Sequence, residues 1–214
     1  MEYCVEENRV HLVGRVSSEP AFNHKTYGEA FYLVGLSVLR RSGYEDRIRL
    51  ILSDRLMGGR SPRQGEVLDV QGQIRTYNRE SNGRNKLEIT VFVREFSYVG
   101  CEKSGGEKRK EHENHVELEG FICKEPVRRT SPLGREICDL MIAVNRMYHK
   151  SDYIPIIAWG RNAVYGESLQ TGDKVRAEGR LQSREYRKYM ESGEVVVRTA
   201  YEVSVSRIEM VDDM

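Results

Sequence analysis

Asn8-Arg9-Val10-His11-Leu12-Val13-Gly14-Arg15-Val16, followed by Glu19-Pro20, is the stretch on which the organisation of the chain turns. It returns as Asn114-His115-Val116-Glu117-Leu118-Glu119-Gly120-Phe121-Ile122, followed by Glu125-Pro126. Asn, Val, Leu, Gly, Glu and Pro recur in one register. The same frame carries Gly28 onto Gly134, Val38 onto Val144, Arg40 onto Arg146, and Asp46-Arg47-Ile48 onto Asp152-Tyr153-Ile154. After a slip of one residue, Gly65-Glu66-Val67-Leu68 through Gly72-Gln73-Ile74 meets Gly172-Asp173-Lys174-Val175 through Gly179-Arg180-Leu181. Identities sustained in one frame identify a tandem duplication. The repeats occupy residues 1–99 and 114–214. Residues 100–113, with Ser104-Gly105-Gly106 and a charged run, read as a flexible linker.

Each repeat carries five apolar runs of period two, the signature of half-buried strands. In the first repeat Val10, Leu12, Gly14 and Val16 alternate, with Gly14 where a barrel strand bends. A second strand runs from Phe31 to Val38, and a third places Ile48, Leu50 and Leu52 on one face. Leu68, Val70, Gly72 and Ile74 mark the fourth, and Leu87, Ile89, Val91 and Val93 the fifth. Between strands three and four lies helical potential, at Asn162 to Leu169 in the second repeat and Ser53 to Arg63 in the first. Gly58-Gly59 and Pro62 shorten or abolish that helix in the first repeat. The pattern predicts an all-β chain of two tandem OB-folds, each a five-stranded Greek-key barrel with at most one short helix. A small β-sandwich is the competing all-β reading.

Composition sets broad limits. The 214 residues are 39% hydrophobic and 31% charged, with a net charge of +1. That suits small domains rich in surface and excludes disorder. It also supplies no global basic field. No apolar run approaches the length of a membrane span. The acidic start Met1-Glu2-Tyr3-Cys4 is no signal peptide, so a cytoplasmic location is expected, and Cys4, Cys101, Cys123 and Cys138 read as free thiols. No catalytic motif is present, so the chain reads as a non-enzyme without cofactors. His112 and His115 with Cys101 lack a fourth zinc ligand, and no metal is expected.

The functional signal is concentrated in Asp152-Tyr153-Ile154-Pro155-Ile156-Ile157-Ala158-Trp159-Gly160-Arg161. Alternation turns Ile154, Ile156 and Ala158 inward, and Tyr153, Ile157 and Trp159 outward. Aromatic rings beside a cation on the outside of a sheet offer planes for bases and charge for phosphates. The plainer reading of Trp159 is core or interface packing. In strand four Val175, Ala177 and Leu181 face in, so Lys174, Arg176 and Arg180 face out.

On three blocks the second repeat resembles the bacterial single-stranded DNA-binding protein family. These are Asn114 to Gly120 with Glu125-Pro126, Asp152 to Arg161, and Leu169 to Val175 with Glu178-Gly179-Arg180-Leu181. The first repeat resembles a diverged copy. The resemblance implies base stacking at four places, which fall on Tyr148, Tyr153, Trp159 and Tyr186, with Arg161, Lys174, Arg180, Arg184 and Arg187 nearby. The same frame gives Ser42, Arg47, Ser53 and Arg79 in the first repeat, so that repeat is expected to offer cations, namely Arg47, Arg49, Arg75 and Arg79, with Tyr44 and Tyr77 displaced nearby. The resemblance further implies a single-stranded DNA partner in replication, recombination or repair, a homodimer presenting four OB-folds, and a nucleoid location. The family's acidic tail with a Pro-Phe tip is not seen at Val211-Asp212-Asp213-Met214, so partner recruitment through such a tip is not expected. Two other readings stay open: an OB protein-interaction module of the primosome-accessory type, and a single-stranded RNA binder.

Overall fold

The computed structural model describes residues 7–81, 84–100, 112–131, 133–146, 150–189 and 193–211. The first repeat contains β1 (Asn8–Val16), β2 (Ala21–Thr26), β3 (Glu29–Leu39), β4 (Glu45–Ser53), α1 (Asp54–Met57), β5 (Val67–Ser81) and β6 (Arg84–Tyr98). The second contains β7 (Glu113–Ile122), β8 (Val127–Thr130), β9 (Glu136–Arg146), β10 (Lys150–Trp159), α2 (Arg161–Ser168), β11 (Lys174–Tyr189) and β12 (Val195–Met210). Five strands close each barrel. The ring runs β1–β3–β4–β6–β5 and back to β1, antiparallel except for the parallel β4–β6 contact. In the second repeat β7, β9, β10, β12 and β11 close identically. This is the OB topology that the strand pattern predicts, and ring closure rules out the sandwich.

Strands β2 and β8 have no counterpart in the five-strand reading. They pair only with β3 and β9, at the two edges of the sheet, and every residue in both is exposed. A strand with neither face buried has no apolar alternation to betray it. The helix after strand three is present in both repeats. In the first it is one turn, capped by Ser53 Oγ, which accepts from Leu56 N at 3.1 Å, and it ends at Gly58 with φ 58°. Gly14 and Gly120 are required by strand approach: a Cβ would lie 2.6 Å from Ser37 O in one case and 2.4 Å from Ala143 O in the other. There the first strand of each repeat passes from one barrel neighbour to the next.

The repeats are joined by main chain. Antiparallel pairing of β1 with β7 sets Val10 opposite Val116, its own counterpart in the duplication. A local twofold axis therefore passes through this pair, and one apolar core runs from Leu12, Leu36 and Leu50 to Leu118, Ile142 and Ile156. Each first strand is also pinned by an asparagine. Asn8 both donates to Ile74 O and accepts from Ile74 N at 2.8 Å, and Asn114 does the same with Leu181 at 2.8 Å.

Two fully buried carboxylates cross between the repeats. Asp46 takes a forked pair of bonds from Arg40, at 2.7 and 2.5 Å, and accepts from Ser183 N of the second repeat at 2.8 Å. Ser183 Oγ in return accepts from Arg47 N at 2.9 Å. Asp152 lies 2.7 Å from Arg146 Nε and accepts from Thr76 N of the first repeat at 2.6 Å, and Thr76 Oγ1 accepts from Tyr153 N at 2.9 Å. Arg75, also of the first repeat, adds a bond to Asp152 at 3.1 Å. The duplication has thus placed the same lock twice, once in each direction. Asp152→Ala takes the shared acceptor from Arg146, Arg75 and the buried Thr76 N–H, and is expected to lower the unfolding free energy by about 3–5 kcal/mol, measured by urea denaturation.

The seam between β7 and β11 sets the Glu119 carboxylate between two cations, Lys174 and Arg176. The hydrogen bond from Arg176, with that from Lys174, holds the Glu119 carboxyl below its ordinary range against the opposing effect of burial. A depressed folded-state value stabilises the protein above the ordinary carboxylate range, and that stability is lost as pH falls through the folded value. Urea midpoints of Glu119→Gln should accordingly fall less between pH 7 and pH 4 than those of the unmodified protein.

Candidate nucleic-acid interface

The outer face of β10 carries the aromatic pair. Tyr153 is 50% exposed, and its amide is held by Thr76 of the first repeat. Ile157, on the same face, is buried rather than solvated, as is Ile51 at the matching place. It sits in the middle of the strand, bridged to Ser204 of β12 on one side and Asp139 of β9 on the other. Trp159 is half-buried and donates its indole N–H to Ser204 Oγ at 3.1 Å, which fixes the orientation of the ring. Gly160 follows with φ 55°, a backbone state that glycine adopts without strain. That turn starts α2 and places the exposed Arg161 directly after the indole.

The long hairpin β11–β12 adds further groups. Arg184 lies over the Tyr186 ring at 5.9 Å, and Tyr186 is 37% exposed. Arg187 is exposed on the same strand. Tyr148 lies outside the described residues, as does most of the linker. Lys174 and Arg180 are placed differently from Tyr153 and Trp159. Lys174 pairs with Glu119 of β7 at 3.2 Å. Arg180 donates to Gln182 at 3.0 Å beside Arg40 and Asp46 of the first repeat, and burial, reinforced by the like charge of Arg40, pushes its guanidinium below the ordinary value.

The first repeat divides its arginines. Arg47 and Arg79 are exposed, as are Tyr44 and Tyr77. Arg49 and Arg75 are engaged inside the fold. Arg49 meets the buried Glu88 at 2.5 Å, donates to Ile89 O at 3.0 Å, and lies 4.8 Å over the Tyr201 ring of the second repeat. Arg75 serves Asp152 and Gln73, and burial pushes it below its ordinary value although Asp152 opposes this. Alternation puts all four on outward positions, but it does not register which of them meet a carboxylate from elsewhere in the chain. Thr76 and Ser183 are positioning residues that periodicity alone passes over. Their signal is the matched hydroxyl in the two repeats. Among the described residues no cluster of three or more His, Cys, Asp or Glu side chains is set to hold a metal, and His115 bonds Glu117 at 3.0 Å.

Comparison with known proteins finds likeness in sequence and in fold. The sequence model described as "Single-strand binding protein family" matches residues 113–211. A single-stranded DNA-binding protein of Thermus thermophilus is 27% identical over 195 residues, covering 81% of this chain and 74% of that protein. Single-stranded DNA-binding protein 1 of Staphylococcus aureus is 34% identical over 80 residues, covering 34% of this chain and 48% of its own length. The crystal structure of the wild-type single-stranded DNA binding protein from Thermus aquaticus superposes with a TM-score of 0.73 at 22% identity, covering 97% of this chain and 94% of that one, a likeness of fold.

The engaged and exposed arginines should separate in a stability measurement. Arg49→Ala and Arg75→Ala each take one cation from a buried carboxylate, leaving Glu88 with Lys86 and Asp152 with Arg146, and are expected to cost about 1–2 kcal/mol by urea unfolding. Arg47→Ala and Arg79→Ala should stay within about 0.5 kcal/mol of the unmodified protein.

Proposed function

We propose that this chain, which carries a domain of the single-strand binding protein family at residues 113–211, binds single-stranded DNA without strong sequence preference, by base stacking and phosphate contact. The observation that carries this reading is the pair of rings on β10. Tyr153 is exposed, Trp159 is oriented by Ser204, and Arg161 follows at the helix start. Aromatic faces contribute roughly 1–3 kcal/mol per stacked base and are indifferent to base identity. Tyr186 with Arg184 extends the path along the β11–β12 hairpin, and Arg47 and Arg79 supply exposed charge on the first repeat. With Arg49 and Arg75 engaged inside the fold, stacking on the second repeat carries most of the affinity.

The family context supports a role in DNA replication, recombination or repair, in the cytoplasm at the nucleoid, and a homodimer that assembles four barrels from two chains. It acts as a binding protein and not as an enzyme. Trp159, the single tryptophan, reports directly on the site. Titration with oligo-dT should quench its fluorescence, and the affinity should fall steeply as salt rises because phosphate contacts release counterions. Trp159→Ala should weaken binding about tenfold, by the lost stack. An unchanged spectrum and no binding at low salt would count against single-stranded DNA as the ligand.

A further inference from the structure

The counterparts of Tyr153 and Trp159 in the first repeat are Arg47 and Ser53, yet the outer face of that repeat is not without rings. Phe31 of β3 pairs across from Ser53, as Ile137 pairs across from Trp159. Phe92 of β6 stands beside Ile51, as Ser204 stands beside Ile157. The two repeats therefore fill one structural corner from different strands. In the second, a tryptophan from β10 lies against a serine of β12. In the first, phenylalanines from β3 and β6 surround a serine of β4, with ring centroids 5.9 Å apart.

The placement of these rings is that of a surface. Val34 and Leu36 on β3, and Val91 and Val93 on β6, turn into the core, so by alternation Phe31 and Phe92 occupy outward positions of those strands. Both are half-buried, as Trp159 is. The edge strand β2 adds a third ring. Its bulge between Phe22 and His24 brings the exposed His24 opposite Phe31, where the two rings stack at 4.8 Å and 8° from parallel. A flat heterocycle thus already rests on the Phe31 face at stacking distance. A cation flanks the corner: Arg55, the counterpart of Arg161, has a side chain 88% exposed, with Glu29 at 4.0 Å.

We propose that His24, Phe31 and Phe92 form a second base-stacking site, on the first repeat, with Arg55 as its phosphate contact. This rests on the reading that the chain binds single-stranded DNA. A base continues the stack on the outer face of His24, or takes the place of the imidazole on Phe31. Either arrangement covers apolar ring surface that the isolated chain leaves facing water, and both are indifferent to base identity. The divergence of the first repeat is then a relocation of its aromatic surface and not its loss.

Because each repeat supplies bonds to the other's buried aspartate, the test uses the full chain. Ultraviolet crosslinking to oligo-dT, followed by mass mapping of the peptides, should recover adducts at His24, Phe31 or Phe92 together with adducts at Tyr153 or Trp159. Adducts confined to the second repeat would overturn the second site and leave single-stranded DNA binding standing. Failure to bind oligo-dT at all would remove both. In parallel, His24→Ala with Phe31→Leu should lower oligo-dT affinity about tenfold by fluorescence anisotropy, at an unchanged urea midpoint. An unchanged affinity would equally overturn the site.

Discussion

Two buried aspartates hold this molecule in its arrangement. Asp46 and Asp152 are excluded from water, and a carboxylate so placed is tolerable only if its oxygens are met by cations and N–H donors. Each barrel supplies its own aspartate with an arginine, Arg40 or Arg146, but the matching backbone donor comes from the other barrel. Neither repeat can therefore satisfy its aspartate alone. The β1–β7 ladder brings the barrels side by side, and the reciprocal aspartates fix how the long hairpins β5–β6 and β11–β12 lean across them. The two halves form one interlocked unit.

That lock lies directly under the outer faces of β4 and β10. Asp46 and Asp152 precede Arg47 and Tyr153, exposed residues of those strands. The same hydroxyls that serve the lock, Ser183 and Thr76, hold the amides of those two residues. The position of Tyr153 is consequently set by the first repeat, and that of Arg47 by the second. Rigid placement of this kind lowers the ordering cost of binding.

The same economy restricts charge. Outward alternation offers a row of arginines on the first repeat, but the interlock draws Arg49 and Arg75 into ion pairs with buried carboxylates. Their guanidinium groups satisfy the fold before they can meet a phosphate. The two copies of the duplication share the glycine approaches, the asparagine pins and the aspartate lock, all of which act through the backbone. They differ on the outer face, where Ser53 and Phe92 stand for Trp159 and Ser204. A side chain there need only fill the corner and shield the strands, and two different strands can do so.

The amino-acid sequence by itself determined the duplication, the five-strand period of each repeat, the short helix after the third strand, and the outward set Tyr153 and Trp159. It also paired Arg40 with Arg146 and Asp46 with Asp152, without showing what they do. These features are legible because alternation and repetition are local, and each is written in consecutive residues. Strands β2 and β8 escaped because neither buries a face, and Ile157 because the flank of a mid-strand residue depends on β12, far along the chain. Only the tertiary structure decided the rest: the twofold pairing at Val10 and Val116, the crossing hydrogen bonds of the aspartates, the division of the arginines into engaged and exposed, and the meeting of His24, Phe31 and Phe92. Each of these joins residues distant in sequence, and burial and partnership are properties of the neighbours that closure of the barrels brings together.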